Sequence, residues 1–271
     1  MTDSPAFSLL NTRPAHQANA LGQGILAMGG EALNCPTIEI QWLEQKADLL
    51  SLPAELSQID KIIFTSVNAV QGFLRSAVGQ AYLATVKQTE TATNWFAIGK
   101  ATQKSGFEAG LPLQTLSQTH FDSETLLAHQ VMQSVQGETV LIIKGQGGRS
   151  LLKETFQTRG AKVISLDVYK RVAAPLCVES WQAFTRSNFP ILLITSVESF
   201  ESLLAALTAF NKDYCDLNHS VWSFLKQTIV FSQRIKMHML EKGWQSTVQV
   251  VESQSNEAIF QSLTECLATR R

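Results

Sequence analysis

One pattern occurs twice along this chain, and the duplication limits its fold more than any other feature. Ile63-Phe64-Thr65-Ser66-Val67 recurs as Leu193-Ile194-Thr195-Ser196-Val197, 130 residues later. Ala97-Ile98-Gly99-Lys100-Ala101-Thr102, followed by Gly110, is answered by Val230-Phe231-Ser232-Gln233-Arg234 and Gly243, with 133 residues between the two glycines. Leu9-Leu10-Asn11-Thr12-Arg13 with Gly29 is answered by Val140-Leu141-Ile142-Ile143-Lys144 with Gly160, an offset of 131. Three pieces at nearly one spacing in 271 residues point to two similar lobes. Two lobes make a cleft, and clefts are where ligands usually sit.

Each repeated piece is a short apolar run, a small or polar turn, and then apolar residues at helical spacing. Strands alternating with helices predict a parallel sheet covered on both faces. Strands are expected at 7–12, 61–65, 95–98, 140–143, 163–166, 191–194 and 229–231. A helix over 15–28 places Ala18, Leu21, Ile25 and Met28 on one face, and Gly29-Gly30 stops it. A single helix from Ser123 to Val135 has the acidic first turn that a helix N-terminus favours. Residues 208–227 are polar and read as a long loop or an irregular helix. Two extended stretches, 36–40 and 165–171, occupy matching places in the copies and suit paired crossovers between the lobes.

Net charge is −1, so no global field draws in nucleic acid or an anionic membrane, and neither is expected as a partner. Any bound anion must be held by locally placed Arg, Lys and backbone N–H groups. Cys35, Cys177, Cys215 and Cys266 are far apart with no C-x-x-C pair, which suits reduced thiols; the five histidines are equally scattered. No metal site or disulfide framework is expected. The N-terminus lacks a basic stretch followed by an apolar run, and no apolar segment reaches about 18 residues. A cytoplasmic protein is the expectation.

Chemistry concentrates where predicted strands give way to helices. Lys144-Gly145-Gln146-Gly147-Gly148-Arg149-Ser150 lies at the carboxyl end of a strand, where the crevice of a parallel sheet forms. Its glycines let a backbone approach a ligand, and the helix start after it offers N–H groups to an anion. Arg149 either grips a carboxylate or is a surface residue on a tight turn. The segment is neither a P-loop nor a good G-x-G-x-x-G match. Thr65-Ser66 and Thr195-Ser196 end strands in both copies, where their hydroxyls cap helices or bind a ligand. Gly99 and Thr102 in one copy, and Ser232 and Arg234 in the other, sit at equivalent edges. Arg13, with Pro14 after it, opens the first helix. Tyr169 reads as a core or linker aromatic, and no Ser-His-Asp or Cys-His spacing is present.

Taken together, these residues resemble the uroporphyrinogen-III synthase family. The resemblance is carried by Thr12-Arg13-Pro14, Phe64-Thr65-Ser66-x-Asn68-Ala69-Val70, Ala97-Ile98-Gly99-x-x-Thr102, Gly145-x-Gly147-Gly148-Arg149, Tyr169-x-Arg171, Thr195-Ser196 and Ser232-x-Arg234. It runs from about Leu9 to Leu263. The departures are Asn11 in an otherwise apolar strand, Lys144 where Arg is commoner, and the longer polar stretch at 208–227.

The resemblance implies two flavodoxin-like α/β lobes with parallel sheets, joined by a two-stranded linker, the first βα unit crossing to the C-terminal lobe. One lobe would comprise 1–36 with 173–271, the other 41–164, with linker strands at 36–40 and 165–172. The implied reaction converts hydroxymethylbilane, a linear tetrapyrrole, to uroporphyrinogen III, inverting ring D and losing water, in porphyrin and heme biosynthesis. It implies a cofactor-free monomer. Tyr169 is then the general-acid candidate. Arg13, Thr65, Ser66, Asn68, Gly99, Thr102, Lys144, Gly147, Gly148, Arg149, Thr195, Ser196, Ser232 and Arg234 are substrate-binding candidates. Two other readings stay open. One is a non-catalytic tetrapyrrole- or anion-binding protein of the same fold. The other is a bilobal enzyme or binding protein for phosphorylated sugars or nucleotides, with Asp167 spaced as a ribose-binding acid would be.

Overall fold

The computed structural model describes residues 5–14, 18–44, 59–86, 93–148, 150–218, 220–251, 253 and 255–269. The chain divides into two compact units, residues 1–39 with 172–271, and residues 40–171. In chain order the elements begin with β1 (Ser8–Asn11), α1 (Ala18–Ala27), β2 (Glu31–Asn34) and β3 (Ile38–Trp42). The central part holds β4 (Lys61–Phe64), α2 (Val67–Arg75), α3 (Ala77–Val86), β5 (Asn94–Ala97), α4 (Lys100–Glu108), α5 (Ser123–Ala128), α6 (Gln130–Gln133), β6 (Thr139–Gly145) and α7 (Leu151–Thr158). Then come β7 (Lys162–Ala173), α8 (Val178–Thr185), β8 (Pro190–Ile194), α9 (Val197–Phe210), β9 (Gln227–Val230), α10 (Gln233–Glu241), β10 (Thr247–Val250) and α11 (Asn256–Ala268).

The unit made from both ends of the chain has one parallel sheet in the order β2-β1-β8-β9-β10. Counted within the unit this is 2-1-3-4-5, the flavodoxin-like order. The first βα unit therefore belongs to the sheet of the C-terminal residues. Successive residues of β8 face opposite sides. Leu192 and Ile194 join Leu10, Trp181 and Phe200 in one core layer, while Ile191 and Leu193 join Leu9, Leu21, Ile25 and Ile259 in the other. Burial on both faces is why these strands read as unbroken apolar runs. Each such side chain contributes about 1.5–3 kcal/mol when fully buried.

A buried hydroxyl chain ties the start of the crossing segment into this unit. Thr12 donates to the Leu193 carbonyl at 2.6 Å, and Ser199 donates to Thr12 at 3.0 Å. The 2.7 Å pair between Thr37 and Ser199 then requires Thr37 to be the donor, because the Ser199 proton is already placed.

The central unit has the sheet order β5-β4-β6-β7-β3. Its β5-β4-β6-β7 part is parallel. Ile62 and Phe64 of β4 face one core layer with Phe73 and Trp95, and Ile63 faces the other with Phe96 and Phe156. The two crossing segments run antiparallel: Leu43 N–H reaches Val168 O at 3.1 Å and Ala174 N–H reaches Thr37 O at 2.9 Å, so numbers rise on one side and fall on the other. Strand β7 is one continuous element from sheet to crossing, longer than the expected strand at 163–166. Its register with β6 shifts between Lys144 and Gly145, so that Lys144 opposes Asp167 but Gly145 opposes Tyr169. Val168 is the extra residue of a β-bulge.

Two further differences from the sequence expectations have physical causes. Strands β2 and β10 went unrecognised because both lie at edges of their sheet, where half-burial leaves polar residues such as Glu31, Asn34, Thr247 and Gln249 in the pattern. The single helix expected from Ser123 to Val135 is broken at His129, whose extended backbone (ψ 140) ends α5 and whose ring caps α6. Arg159 Nη1 takes up carbonyls near the break, at 2.9 Å from Leu127 O and 2.7 Å from Met132 O. The polar stretch after α9 forms two 3-10 turns, Lys212–Cys215 and Ser220–Trp222, that send Tyr214 and Trp222 into an aromatic cluster around Trp181.

Lys61 opens β4 with its side chain buried, ion-paired to Glu138. Glu138→Gln keeps the shape but leaves the ammonium under a neutral amide, which should cost about 2 kcal/mol. The melting temperature should fall by about 4–8 °C; an unchanged midpoint in thermal unfolding would mean the pair contributes nothing net. Burial pushes the Cys35 thiol up to about 12, with Cys177 beside it, whereas Cys215 is exposed. Because the thiolate is the reactive form, iodoacetamide at pH 8 should alkylate Cys215 at least about 100-fold faster than Cys35 in the folded protein. Mass mapping of the labelled peptides checks this, and comparable rates would contradict the burial of Cys35.

Candidate functional site

Parallel strands deliver all their carboxyl ends to one edge of a sheet, and ligands gather there at the point where strand order reverses. In the central unit that point lies between β4 and β6. A cavity of about 750 Å³ opens at it, lined by Thr65 and Ser66 after β4, by residues 144–148 after β6, and by Asp167, Tyr169 and Arg171 of β7.

Ser66 caps α2, its hydroxyl accepting from Ala69 N–H at 3.1 Å. The same hydroxyl is 3.1 Å from Tyr169 Oη. If Ser66 gives its proton to the phenol oxygen, the tyrosine's proton is left for a ligand. Tyr169 is only 4% exposed and packs edge-on to Trp42, with ring centroids 6.5 Å apart. The bulge explains its placement. Strict alternation would send Val168 and Tyr169 to opposite faces, yet both join one core cluster. Gly145 makes room for the ring, since a Cβ there would lie 2.6 Å from Tyr169 Cζ.

Lys144 does not project freely into the cavity. Its Nζ donates to Gly145 O at 3.1 Å and Gly147 O at 3.0 Å, and lies 3.1 Å from Asp167 Oδ1. Asp167, spaced as a ribose-binding acid would be, is thus committed to an ion pair. Gly147 and Gly148 hold φ of 76° and 82°, a left-handed conformation that glycine tolerates. Gln146 N–H donates to Tyr169 O at 2.7 Å, stitching the turn to β7. Helix α7 begins at Ser150 without a side-chain cap, so its first N–H groups remain to be satisfied by a ligand or solvent.

Of the sequence candidates in this unit, Thr65, Ser66, Lys144, Gly147, Gly148 and Tyr169 line the cavity. Asn68, Gly99 and Thr102 do not. Gly99 precedes α4 as its cap residue, and Thr102 is 5% exposed inside that helix. Arg149 lies outside the described residues. In the other unit, Arg13, Thr195, Ser196, Ser232 and Arg234 follow the ends of β1, β8 and β9. Arg13 donates to Asn256 Oδ1 at 2.7 Å and sits 5.9 Å over the Phe231 ring. Desolvation lowers its pKa from the ordinary arginine range, and it stays a cation. Ser196 caps α9 and Ser232 caps α10, while Arg234 is exposed.

The cavity also takes in Phe121, Asp122, Ser123, Glu124, Ser150 and Lys153, which sequence reasoning did not single out. A signal existed for some of them: Asp122 is the cap residue of α5, accepting from Thr125 N–H at 2.7 Å, and an acidic helix start at a strand-end edge is readable. Nothing in the sequence marked Phe121, whose ring carries the Lys100 ammonium at 5.4 Å. Among the described residues no group of three or more His, Cys, Asp or Glu is placed to hold a metal ion, and no helix is long and apolar enough to cross a membrane.

Comparison with known proteins bears on this geometry. The chain matches the uroporphyrinogen-III synthase HemD family over residues 19–260. Uroporphyrinogen-III synthase of Salmonella typhimurium is 29% identical over 265 residues, covering 95% of this chain and 100% of the relative. The Escherichia coli protein of the same name is 27% identical over 268 residues, with 95% and 100% covered. The fold is shared with a crystal structure of a mutant uroporphyrinogen III synthase from Thermus thermophilus (TM-score 0.57, 16% identity, 98% and 100% covered). It is shared equally with uroporphyrinogen-III synthetase from Helicobacter pylori (TM-score 0.56, 15% identity, 96% and 98% covered). With a family match over most of its length, this chain belongs to the uroporphyrinogen-III synthase family.

Proposed function

We propose that the protein is a cyclising hydro-lyase that converts hydroxymethylbilane to uroporphyrinogen III in porphyrin and heme biosynthesis. The observation that carries this reading is the Tyr169–Ser66 pair at the cavity on the sheet's switch point, in a chain of this family. Loss of the terminal hydroxyl requires a proton on the departing oxygen, and in this reading the Tyr169 phenol gives it, a role that its contact with Ser66 at the cavity supports. The azafulvene cation that remains is attacked by the substituted carbon of ring D. The resulting spiro intermediate fragments and closes the other way round, which inverts the ring. Proximity and orientation do the rest, since unassisted closure gives the uninverted isomer I. The substrate's eight carboxylates suit Lys153, Arg171 and the uncapped start of α7 around the cavity, despite the near-neutral total charge. Arg13, Thr195, Ser196, Ser232 and Arg234 would present a second set of carboxylate and hydroxyl partners. The reading keeps the expectation of a cytoplasmic, cofactor-free monomer.

Incubating the protein with hydroxymethylbilane and separating the isomers tests the reading directly; isomer III should dominate, and isomer I alone would reject it. Tyr169→Phe keeps the ring's packing and removes the proton donor. General acid assistance is worth about 10²–10⁴-fold, so isomer III should form more slowly by a factor in that range while isomer I accumulates. The Ser66 hydroxyl next to it places the loss toward the low end. Turnover close to the parent's would reject the acid role. Lost turnover together with a lowered melting temperature would assign Tyr169 to the packing of the crossing strand.

A further inference from the structure

We propose that Lys144 is a positioning residue: it pins the irregular β6–β7 pairing that aims Tyr169 and does not itself hold substrate. The inference rests on the functional reading above and names a determinant within the same site.

An ammonium has three protons. Lys144 Nζ donates to Gly145 O at 3.1 Å and to Gly147 O at 3.0 Å, and it is ion-paired with Asp167 Oδ1 at 3.1 Å without a hydrogen bond between them. Two of its protons are thus taken by backbone carbonyls, and its charge is matched by Asp167. Lys153 and Arg171 also line this cavity.

The three partners also have a pattern. Two belong to the glycine turn that leaves β6, and one belongs to β7. They lie on both sides of the register shift that begins after Lys144. A regular parallel ladder would set Gly145 opposite Val168 and leave Tyr169 on the other face of the strand. With the shift, Gly145 opposes Tyr169 and the phenol reaches Ser66. The turn itself resists little, because Gly147 and Gly148 in left-handed conformation have no side chains to restrict them. Lys144 supplies the missing restraint. Bulges beside active sites serve to re-aim a side chain, and this one has an ion-paired cation holding it.

The test compares Lys144→Met, which keeps the stem and removes the donors, with Lys144→Arg, which restores donors, each alone and with Tyr169→Phe. Steady-state kinetics on hydroxymethylbilane should show Lys144→Met lowering kcat by about 10- to 100-fold, the scale expected for misplacing a reacting group by about 1 Å. KM should stay within about threefold, because no ground-state contact is lost. Lys144→Arg should recover most of the loss. The double variant Lys144→Met with Tyr169→Phe should be no slower than Tyr169→Phe alone, since one acts through the other. A raised KM with unchanged kcat, or losses that multiply in the double variant, would overturn the proposal. Should Lys144→Met fold poorly, Asp167→Asn removes the charge from the β7 side and should give the same kcat pattern, more weakly; parental kcat there counts against the idea. The crystal structure of Lys144→Met reads the geometry without turnover: separation of Tyr169 Oη from Ser66 is expected, and an unchanged contact at 3.1 Å refutes it. A parent that makes no isomer III would instead remove the functional reading, with the structural comparison still deciding the role of Lys144.

Discussion

Parallel pairing is the constraint from which the rest of the molecule follows. Strands that all point one way must be joined by return helices, so every helix that follows a strand starts at the same edge, with unpaired N–H groups. Ser66, Ser196 and Ser232 meet that need in the same way. Each has an extended backbone, with φ of −163°, −154° and −165°, and each accepts from the N–H three residues on. Helices α4 and α7 differ: Gly99 and Ser150 make no side-chain cap, and at α7 the glycine turn stands in front. The edge that the fold must furnish with donors and hydroxyls is therefore also the edge where a polycarboxylate can be held. One demand, met by serine at those three helix starts, is left open at others, α7 beside the cavity among them.

How much of this the sequence disclosed depended on burial. Strands β4, β6 and β8 are covered on both faces, so Ile62-Ile63-Phe64, Val140-Leu141-Ile142-Ile143 and Ile191-Leu192-Leu193-Ile194 stand out as apolar runs. The edge strands β2 and β10 have no such cover and stayed hidden. The site was legible where backbone geometry demands particular residues: glycine at 147 and 148, serine at 66 and 196. It was not legible where function depends on pairing at a distance. Leu166-Asp167-Val168-Tyr169 reads as ordinary alternation, and nothing in those four letters announces the bulge. Nor could the partners of Lys144 be seen, because one of them, Asp167, is brought beside it only by the pairing of β6 with β7.

The chemistry asks little of individual side chains and much of their setting. Tyr169, 4% exposed, sits largely within a hydrophobic cluster. Its ring is fixed by Trp42, by the absence of a side chain at Gly145 and by the hydroxyl of Ser66. Under the acid role proposed for Tyr169, such burial would limit the orientations the donor can sample, which matters for a reaction whose competing course needs no catalyst.

The way the chain is shared between its units has a consequence for its birth on the ribosome. Strand β1 pairs with β2 and with β8, and β8 begins 179 residues after β1 ends. At roughly 5–20 residues per second, its second neighbour emerges on the order of 10–40 s after β1 itself. The central unit, continuous from 40 to 171, is complete by then. Leu9 and Leu10, fully buried at the end, spend that interval with one side of their strand unpaired. The first part of the molecule to be made is thus among the last to find its place, and the nascent chain must keep an apolar strand edge from other partners while the middle of the protein folds.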